Sequence, residues 1–394
     1  VKDGFNVWDT DTHIRPSLET LEPFMDAALK ARLPELEPYK RLNTRDDEGL
    51  VPGVHYYDLP GRMVYRRPLG SADELKGSGD RKMTHGKATG LGEKKWMGGK
   101  QPSVGSHDND AAARIRDMDE EGVDVNLMIG QGPNPFLLDD RALDVGFYLT
   151  YNRFLDDFCE RYPRRLKAVI PVFSRMIEEA VSEIHRWADT PWMLGVYPHI
   201  GNDMPLDHPD LNPIWQAVDE HGLVVLHHSS AQFFPYYPGY QDLWDNVFLN
   251  RAAAHPWGAM RAMGAFIGGG LLERYRNLRY GILESGCGWL PFWSRRLEDQ
   301  AEYVGGVAEL QEGIAEQVSG GRFFSSIEMA EGEDMIRMVS DFLGPDVLMY
   351  ASDFPHHECR FPDSVNYFMS WDSLSDDLRR KILWDNPVSF YGEP

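Results

Sequence analysis

Cysteine is scarce in this sequence. Cys159, Cys287 and Cys359 are the only three among 394 residues, and they lie far apart. An odd, scattered set is neither a disulfide framework nor a CxxC metal site, so a reducing cytoplasm is the expected compartment. Long apolar runs are lacking too. No stretch approaches the roughly 18–20 residues that span a bilayer, and the opening VKDGFNVWDTDTH has no apolar core of the signal-peptide kind. Positive charge is in short supply, with 40 Lys and Arg against 62 Asp and Glu and a formal net charge of -22. Such a surface repels polyphosphate and anionic membranes, which makes nucleic acid and lipid poor partners. A soluble protein acting on a small molecule is expected.

What is present is an apolar fraction of 42%, enough for a large core. Short apolar runs alternate with longer stretches of helical spacing, the pattern of βα units around a parallel sheet. Eight runs stand out: Phe5 to Trp8, Val123 to Ile129, Leu166 to Val172, Met193 to Tyr197, Leu223 to Leu226, Leu278 to Leu283, Arg322 to Ser325 and Val347 to Tyr350. Helix candidates between them include Asp140 to Arg161, Ile177 to Ala188, Asn212 to Glu220, Ala259 to Tyr275 and Gly332 to Leu343. An open doubly wound sheet would alternate in the same way, but it usually carries a Gly-rich phosphate turn after its first strand, and here that place holds Asp-Thr-His. The expected fold is therefore an α/β (β/α)8 TIM barrel, one domain over residues 1–394. Residues 46–110, rich in Gly and basic side chains, interrupt the pattern. They are read either as a solvated insertion or subunit contact, or as a lid whose Arg62, Arg66, Arg67, Lys94, Lys95 and Lys100 draw a small carboxylate to the barrel mouth.

Catalytic groups of such barrels sit where strands end, so the polar residues after each run are the candidates. Asp11 and His13 follow the first run, two residues apart and on one face of an extended segment. His227 and His228 follow the fifth, Glu284 the sixth, and Asp353 the eighth, with His356 and His357 close behind. Each alone reads most simply as a hydrogen-bonded structural residue. Four strand ends agreeing in imidazole and carboxylate supply the three or four ligands that a catalytic divalent ion needs.

At these residues the chain resembles the amidohydrolase-2 family, the group of aminocarboxymuconate semialdehyde decarboxylase and related aromatic acid decarboxylases. DTDTHIRPS, RIRDMDEEGVDVNLMI, YNRFLDDFCERYPRRLKAVIPV, PLDHPDLNPIWQAVDEHGLVVLHH, NLRYGILESGCGWLPFWSRRLED, VLMYASDFPHH and WDNPVSFYG carry the resemblance nearly end to end. It implies one divalent metal ion, zinc first and manganese or another ion next, held by Asp11, His13, His227 and Asp353. It also implies a homodimer. Asp11 stands where many members have His, and a carboxylate there is still a competent ligand. Glu284 stands where the known decarboxylases have a sixth-strand His. It is either a proton acceptor with a raised pKa or a buttress of the ligands. The segment MLGVYPHIGND offers no Lys for carboxylation, so a mononuclear site is expected.

His228, which would point away from His227 along a strand, is expected to be packed or hydrogen-bonded, and joins His199, His356, Trp289 and Arg15 as candidates for the substrate pocket. Trp289, Phe292, Phe233 and Tyr236 are either walls for a flat substrate or ordinary packing. The implied reaction is decarboxylation of an aromatic or muconate-like carboxylate, with Asp353 handling the proton. Hydrolysis by a metal-activated water is the alternative on the same ligands, and a non-catalytic metal-stabilised barrel the third reading.

Overall fold

The computed structural model describes residues 2–45, 47–57, 96–130, 140–200, 204–228, 247–305 and 310–394. Arg62, Arg66, Arg67, Lys94, Lys95, Phe233 and Tyr236, singled out above, lie outside them. Eight parallel strands form one sheet in chain order: β1 (Trp8–Ile14), β2 (Val125–Gly130), β3 (Leu166–Phe173), β4 (Met193–His199), β5 (Val224–His228), β6 (Arg279–Leu283), β7 (Phe323–Ser326) and β8 (Leu348–Met349). Backbone bonds bring the last strand back to the first. Thr10 N–H donates to the Tyr350 carbonyl at 3.1 Å, Asp353 N–H to the Asp11 carbonyl at 3.0 Å, and His13 N–H to the Phe354 carbonyl at 2.7 Å. The architecture is that of a (β/α)8 barrel. No described helix is long and apolar enough to cross a membrane.

The first strand differs from its expected position. It begins at Trp8, where the Phe5 to Trp8 run ends, and runs through Asp-Thr-Asp-Thr. A buried strand of such polarity is tolerable because its hydroxyls find backbone partners: Thr10 Oγ1 donates to the Tyr350 carbonyl at 2.8 Å and Thr12 Oγ1 to the Leu127 carbonyl at 2.6 Å. The other strands lie within two residues of their apolar runs. Helices Ile177–Trp187, Asn212–Glu220 and Gly332–Leu343 fall almost where their spacing puts them. Asp140 caps helix Arg141–Glu160 by accepting from the Ala142 and Leu143 N–H groups.

Two apolar layers sandwich the strands. The inner one fills the barrel with Trp8, Val125, Leu127, Ile129, Val169, Val224, Leu226, Leu283, Phe324 and Met349. Phe390 and Tyr391 of the last helix join it, Tyr391 stacking on Trp8 with ring centroids 5.4 Å apart. The outer layer, with Val225, Ile282, Ile14 and Leu348 among many others, seats the helices.

Trp96–Asp110, the described C-terminal part of residues 46–110, packs against the barrel. Trp96 packs on Phe354, Cys359 and Phe361. His107 and Asp108 are buried, the His107 carbonyl accepting from Arg15 N–H at 2.7 Å and the Asp108 carboxylate from Ser17 N–H at 2.8 Å. Lys100 stays at the surface in an ion pair with Glu120.

Candidate metal centre

The C-terminal ends of β1, β5, β6 and β8 converge on one group of side chains. Asp11, His13 and His228 each offer a donor atom within 4.8 Å of the others, as do His13, Asp353 and His356, and also Glu284, Asp353 and Glu358. His13 Nε2 lies 2.8 Å from Asp353 Oδ1. His228 Nε2 lies 3.1 Å from Glu284 Oε2 and 3.5 Å from Asp11 Oδ1. His356 Nε2 is 4.0 Å from Asp353, and its ring centroid is 4.3 Å from that of His13.

Strand register explains who points in. Along β5, Val224 and Leu226 belong to the inner layer and Val225 to the outer, so period-two alternation carries His228 inward and His227 outward. Their neighbours on β6 agree: His228 pairs with inner Leu283, His227 with outer Ile282. The structure thus brings His228, and not His227, beside Asp11 and His13. On β1 the pairing runs Asp9 with Asn126 but Thr12 with Met128, an irregularity that inserts one residue. That bulge shifts the phase, so Trp8 at one end and Asp11 and His13 at the other all serve the barrel interior, while Asp9 lines a cavity with Asp117, Met118 and Glu121 of helix Ala111–Glu121.

The two carboxylates that follow β6 and β8 arrive by another route. Glu284 has φ +47° and Asp353 φ +61°, left-handed conformations uncommon for residues with a Cβ. From these turns both side chains reach the cluster at the mouth. Strain of this kind concentrates at functional sites.

Burial sets the charge states. Desolvation lowers His13 to about 4 against the opposing pull of Asp11, and lowers His199 to about 3. Both imidazoles are neutral near pH 7, the form that binds a metal. Desolvation and then the charge of Glu284 push the Asp353 carboxyl well above the usual range, and desolvation with Glu284 and Asp11 does the same to half-buried Glu328. Asp11 Oδ1 and Asp353 Oδ2 are buried without hydrogen-bond partners. Carboxylate oxygens left in that condition beside neutral imidazoles suit a divalent cation, so the residues present fit a metal ion.

The remaining candidates are placed as follows. His199 ends β4 with its ring 4.2 Å from that of Tyr197 and 5.2 Å from that of Phe173. Arg15 stands over the Tyr56 ring at 4.7 Å, with Glu48 and Asp108 as charged neighbours. Trp289 gives its indole N–H to the Ser285 and Gly286 carbonyls and packs on the outer core, so it holds the β6 loop. Phe292 is exposed. His357 turns away from the centre to Glu48. Sequence reasoning missed Glu358, Glu328, His255, whose Nδ1 donates to the Glu284 carbonyl at 2.8 Å, and His107, whose Nδ1 donates to the Glu48 carbonyl at 3.0 Å. Glu328 was within reach of the rule used above, since it follows β7 by two residues. His107 was not, because no strand precedes it.

A parallel barrel with neutral imidazoles and carboxylates gathered at its C-terminal mouth defines a class of protein that binds a divalent ion there. The chain belongs to the amidohydrolase family, whose profile matches residues 107–392. That match covers His228, Glu284 and Asp353 but stops short of Asp11 and His13, which join the site on geometry. No protein of curated function matches the sequence. Among solved structures, the chain is similar to 5-carboxyvanillate decarboxylase from Novosphingobium aromaticivorans, solved with manganese and 4-hydroxy-3-methoxy-5-nitrobenzoic acid (TM-score 0.65, 16% identity, 99% of this chain and 97% of that one). It is also similar to an amidohydrolase from Mycobacterium avium subsp. paratuberculosis (0.68, 19%, 98% and 97%). A third is dihydroxybenzoic acid decarboxylase from Polaromonas, solved with manganese and 2-nitroresorcinol (0.58, 15%, 98% and 97%).

Proposed function

We propose that this protein is a carboxy-lyase that uses one divalent ion to remove carbon dioxide from an aromatic or muconate-like carboxylate. The observation that carries the reading is the convergence of Asp11, His13, His228 and Asp353 at the mouth, with two buried carboxylate oxygens lacking partners. Family membership and the likeness to two manganese-bearing decarboxylases support it. Those four residues would hold the ion, and their mixed nitrogen and oxygen donors suit manganese as well as zinc. When bound, the ion supplies the positive charge that anchors an anionic substrate and steadies the charge that develops as the carboxylate leaves.

In the reaction the electron pair of the breaking C–C bond stays on the ring carbon, which takes one proton as carbon dioxide departs. We assign that proton to Asp353, whose carboxyl lies among the ligands at the centre of the site. Glu284, 3.1 Å from the His228 Nε2 that faces the site, lies on the ion's side of this imidazole, and we assign it the role of proton acceptor there. His356, His199 and Arg15 are the groups we assign to the substrate side, and a homodimer is the assembly we expect.

The test joins elemental analysis to a carbon dioxide assay. The purified protein and a His13→Ala, His228→Ala double variant are analysed for metal, then offered 5-carboxyvanillate, 2,6-dihydroxybenzoate and related hydroxylated aromatic acids. About one ion per chain, lost in the double variant, with carbon dioxide released only by the metal-loaded parent, is the expected result. Absence of metal, and of turnover on adding manganese or zinc, would overturn it. Cleavage of esters or lactones without carbon dioxide release would replace the lyase by a hydrolase.

A further inference from the structure

The ladder between β7 and β8 ends at the Met349 pair with Ser326, so regular sheet pairing does not hold the three residues that matter most, Ser352, Asp353 and Phe354. Asp353 nevertheless keeps φ +61°, a conformation that survives only where its surroundings enforce it. The enforcement comes from alternate residues of β1. Asp353 N–H donates to the Asp11 carbonyl at 3.0 Å, and His13 N–H donates to the Phe354 carbonyl at 2.7 Å. The third tie is made by a side chain. Asp9 Oδ1 accepts from Ser352 N–H at 2.9 Å, and Asp9 Oδ2 accepts from the Ser352 hydroxyl. The same hydroxyl oxygen accepts from Phe354 N–H at 3.1 Å, closing a ring of bonds across the turn with Asp353 at its centre.

We infer that Asp9 is a positioning residue of the metal centre: with Ser352 it forms a clamp that fixes the strained turn carrying Asp353. This rests on the reading of Asp353 as a ligand. Asp9 is 1% exposed, and with Ser352 and Phe354 it lines the cavity on the helix side of β1. It acts through the turn and has no place among the groups that could hold the ion. Its role follows from the β1 bulge, which puts Asp9 on the outer side and Asp11 and His13 on the inner side of one strand. One strand thereby supplies two ligands directly and sets the third from behind. Two consequences follow. Loss of either half of the clamp should loosen Asp353 and weaken metal binding, and that loss should vanish when Asp353 is already gone.

The experiment titrates manganese into the metal-stripped full chain and into the variants Asp9→Ala, Asp9→Asn, Ser352→Ala, Asp353→Ala and Asp9→Ala with Asp353→Ala, with melting in chelator as the control for folding. Asp9→Ala and Ser352→Ala should each weaken manganese binding about tenfold or more. Asp9→Asn keeps a carbonyl oxygen for Ser352 N–H and should recover part of the loss. In the Asp353→Ala background, Asp9→Ala should add no further weakening, because the clamp has nothing left to position. If Asp9→Ala does not fold, Ser352→Ala, which removes only a hydroxyl, carries the same expectation. Parent-like binding by Asp353→Ala would overturn the ligand reading on which the clamp rests. Weakened binding by Asp353→Ala together with parent-like binding by Asp9→Ala and Ser352→Ala would overturn the clamp alone, as would an equal effect of Asp9→Ala in both backgrounds.

Discussion

The two ends of the barrel are made from the same strands and could hardly differ more. At the N-terminal end Trp8 stacks on Tyr391, Phe390 packs on Phe324, and the interior is closed by apolar side chains. At the C-terminal end, three or four residues along the same strands, buried carboxylates and imidazoles crowd together, two of them on left-handed backbone. The first end lowers the energy of the fold; the second raises it unless a cation compensates the carboxylates. β1 shows how one strand serves both, since its bulge lets Trp8 plug the bottom while Asp11 and His13 line the top. Stability and chemistry are thus separable by position along a strand, and substitutions at the two ends should fail in different ways.

The largest effect is expected at the top. His228→Ala should remove the ion and lower turnover about 10⁴-fold, on the order of 5 kcal/mol in barrier height, while melting in chelator changes little. His227→Ala should keep the ion and instead cost stability, about 1–3 kcal/mol for a buried polar side chain packed on the helix side. Metal analysis of the two variants decides between them, and loss of metal from His227→Ala alone would invert the assignment of inward and outward faces along β5. At the bottom, Trp8→Ala should cost about 3–5 kcal/mol of stability through the cavity it leaves against Tyr391. The fraction that remains folded should bind manganese as the parent does. If Trp8→Ala weakened metal binding as well, the two ends would be coupled along β1 and the separation drawn above would fail.

Much of this layout was legible from the residues. Alternating apolar runs gave eight strands and their order, and the polar residues at the run ends included Asp11, His13, Glu284 and Asp353. The choice between His227 and His228 was not legible, for a physical reason. A parallel strand is buried on both faces, so Val-Val-Leu before the His pair carries no polar alternation to reveal which side faces in. β1 concealed its position similarly, because the bonds that make Asp-Thr-Asp-Thr acceptable inside a barrel go to Tyr350 and Leu127, far away in the chain. The described end of the long glycine-rich stretch was not legible either. Its described tail ends in a buried turn with His107 and Asp108, whose partners are again distant.

Glu121 offers the sharpest test of how far the carboxylate penalty extends from the mouth. It sits behind β1, 5% exposed, with Oε1 accepting from Val365 N–H at 2.8 Å and Oε2 buried without a hydrogen-bond partner. Burial first, and the charge of Asp9 in the same direction, push its carboxyl up to about 8. In the unfolded chain the group loses its proton near its ordinary 4.5, so between those values the native state binds more protons than the unfolded one. Native stability should therefore fall as pH rises from about 4.5 to about 8 and then level off. Glu121→Gln keeps the oxygen that Val365 needs and cannot ionise. It should match the parent near pH 4, gain on it steadily through that window, and reach an advantage on the order of 5 kcal/mol above pH 8, read from denaturant unfolding at each pH. A difference that stays flat with pH would mean that Glu121 is already ionised and solvated through its cavity. The layer behind β1 would then share the polarity of the mouth, and the dry part of the barrel would shrink to the end closed by Trp8 and Tyr391.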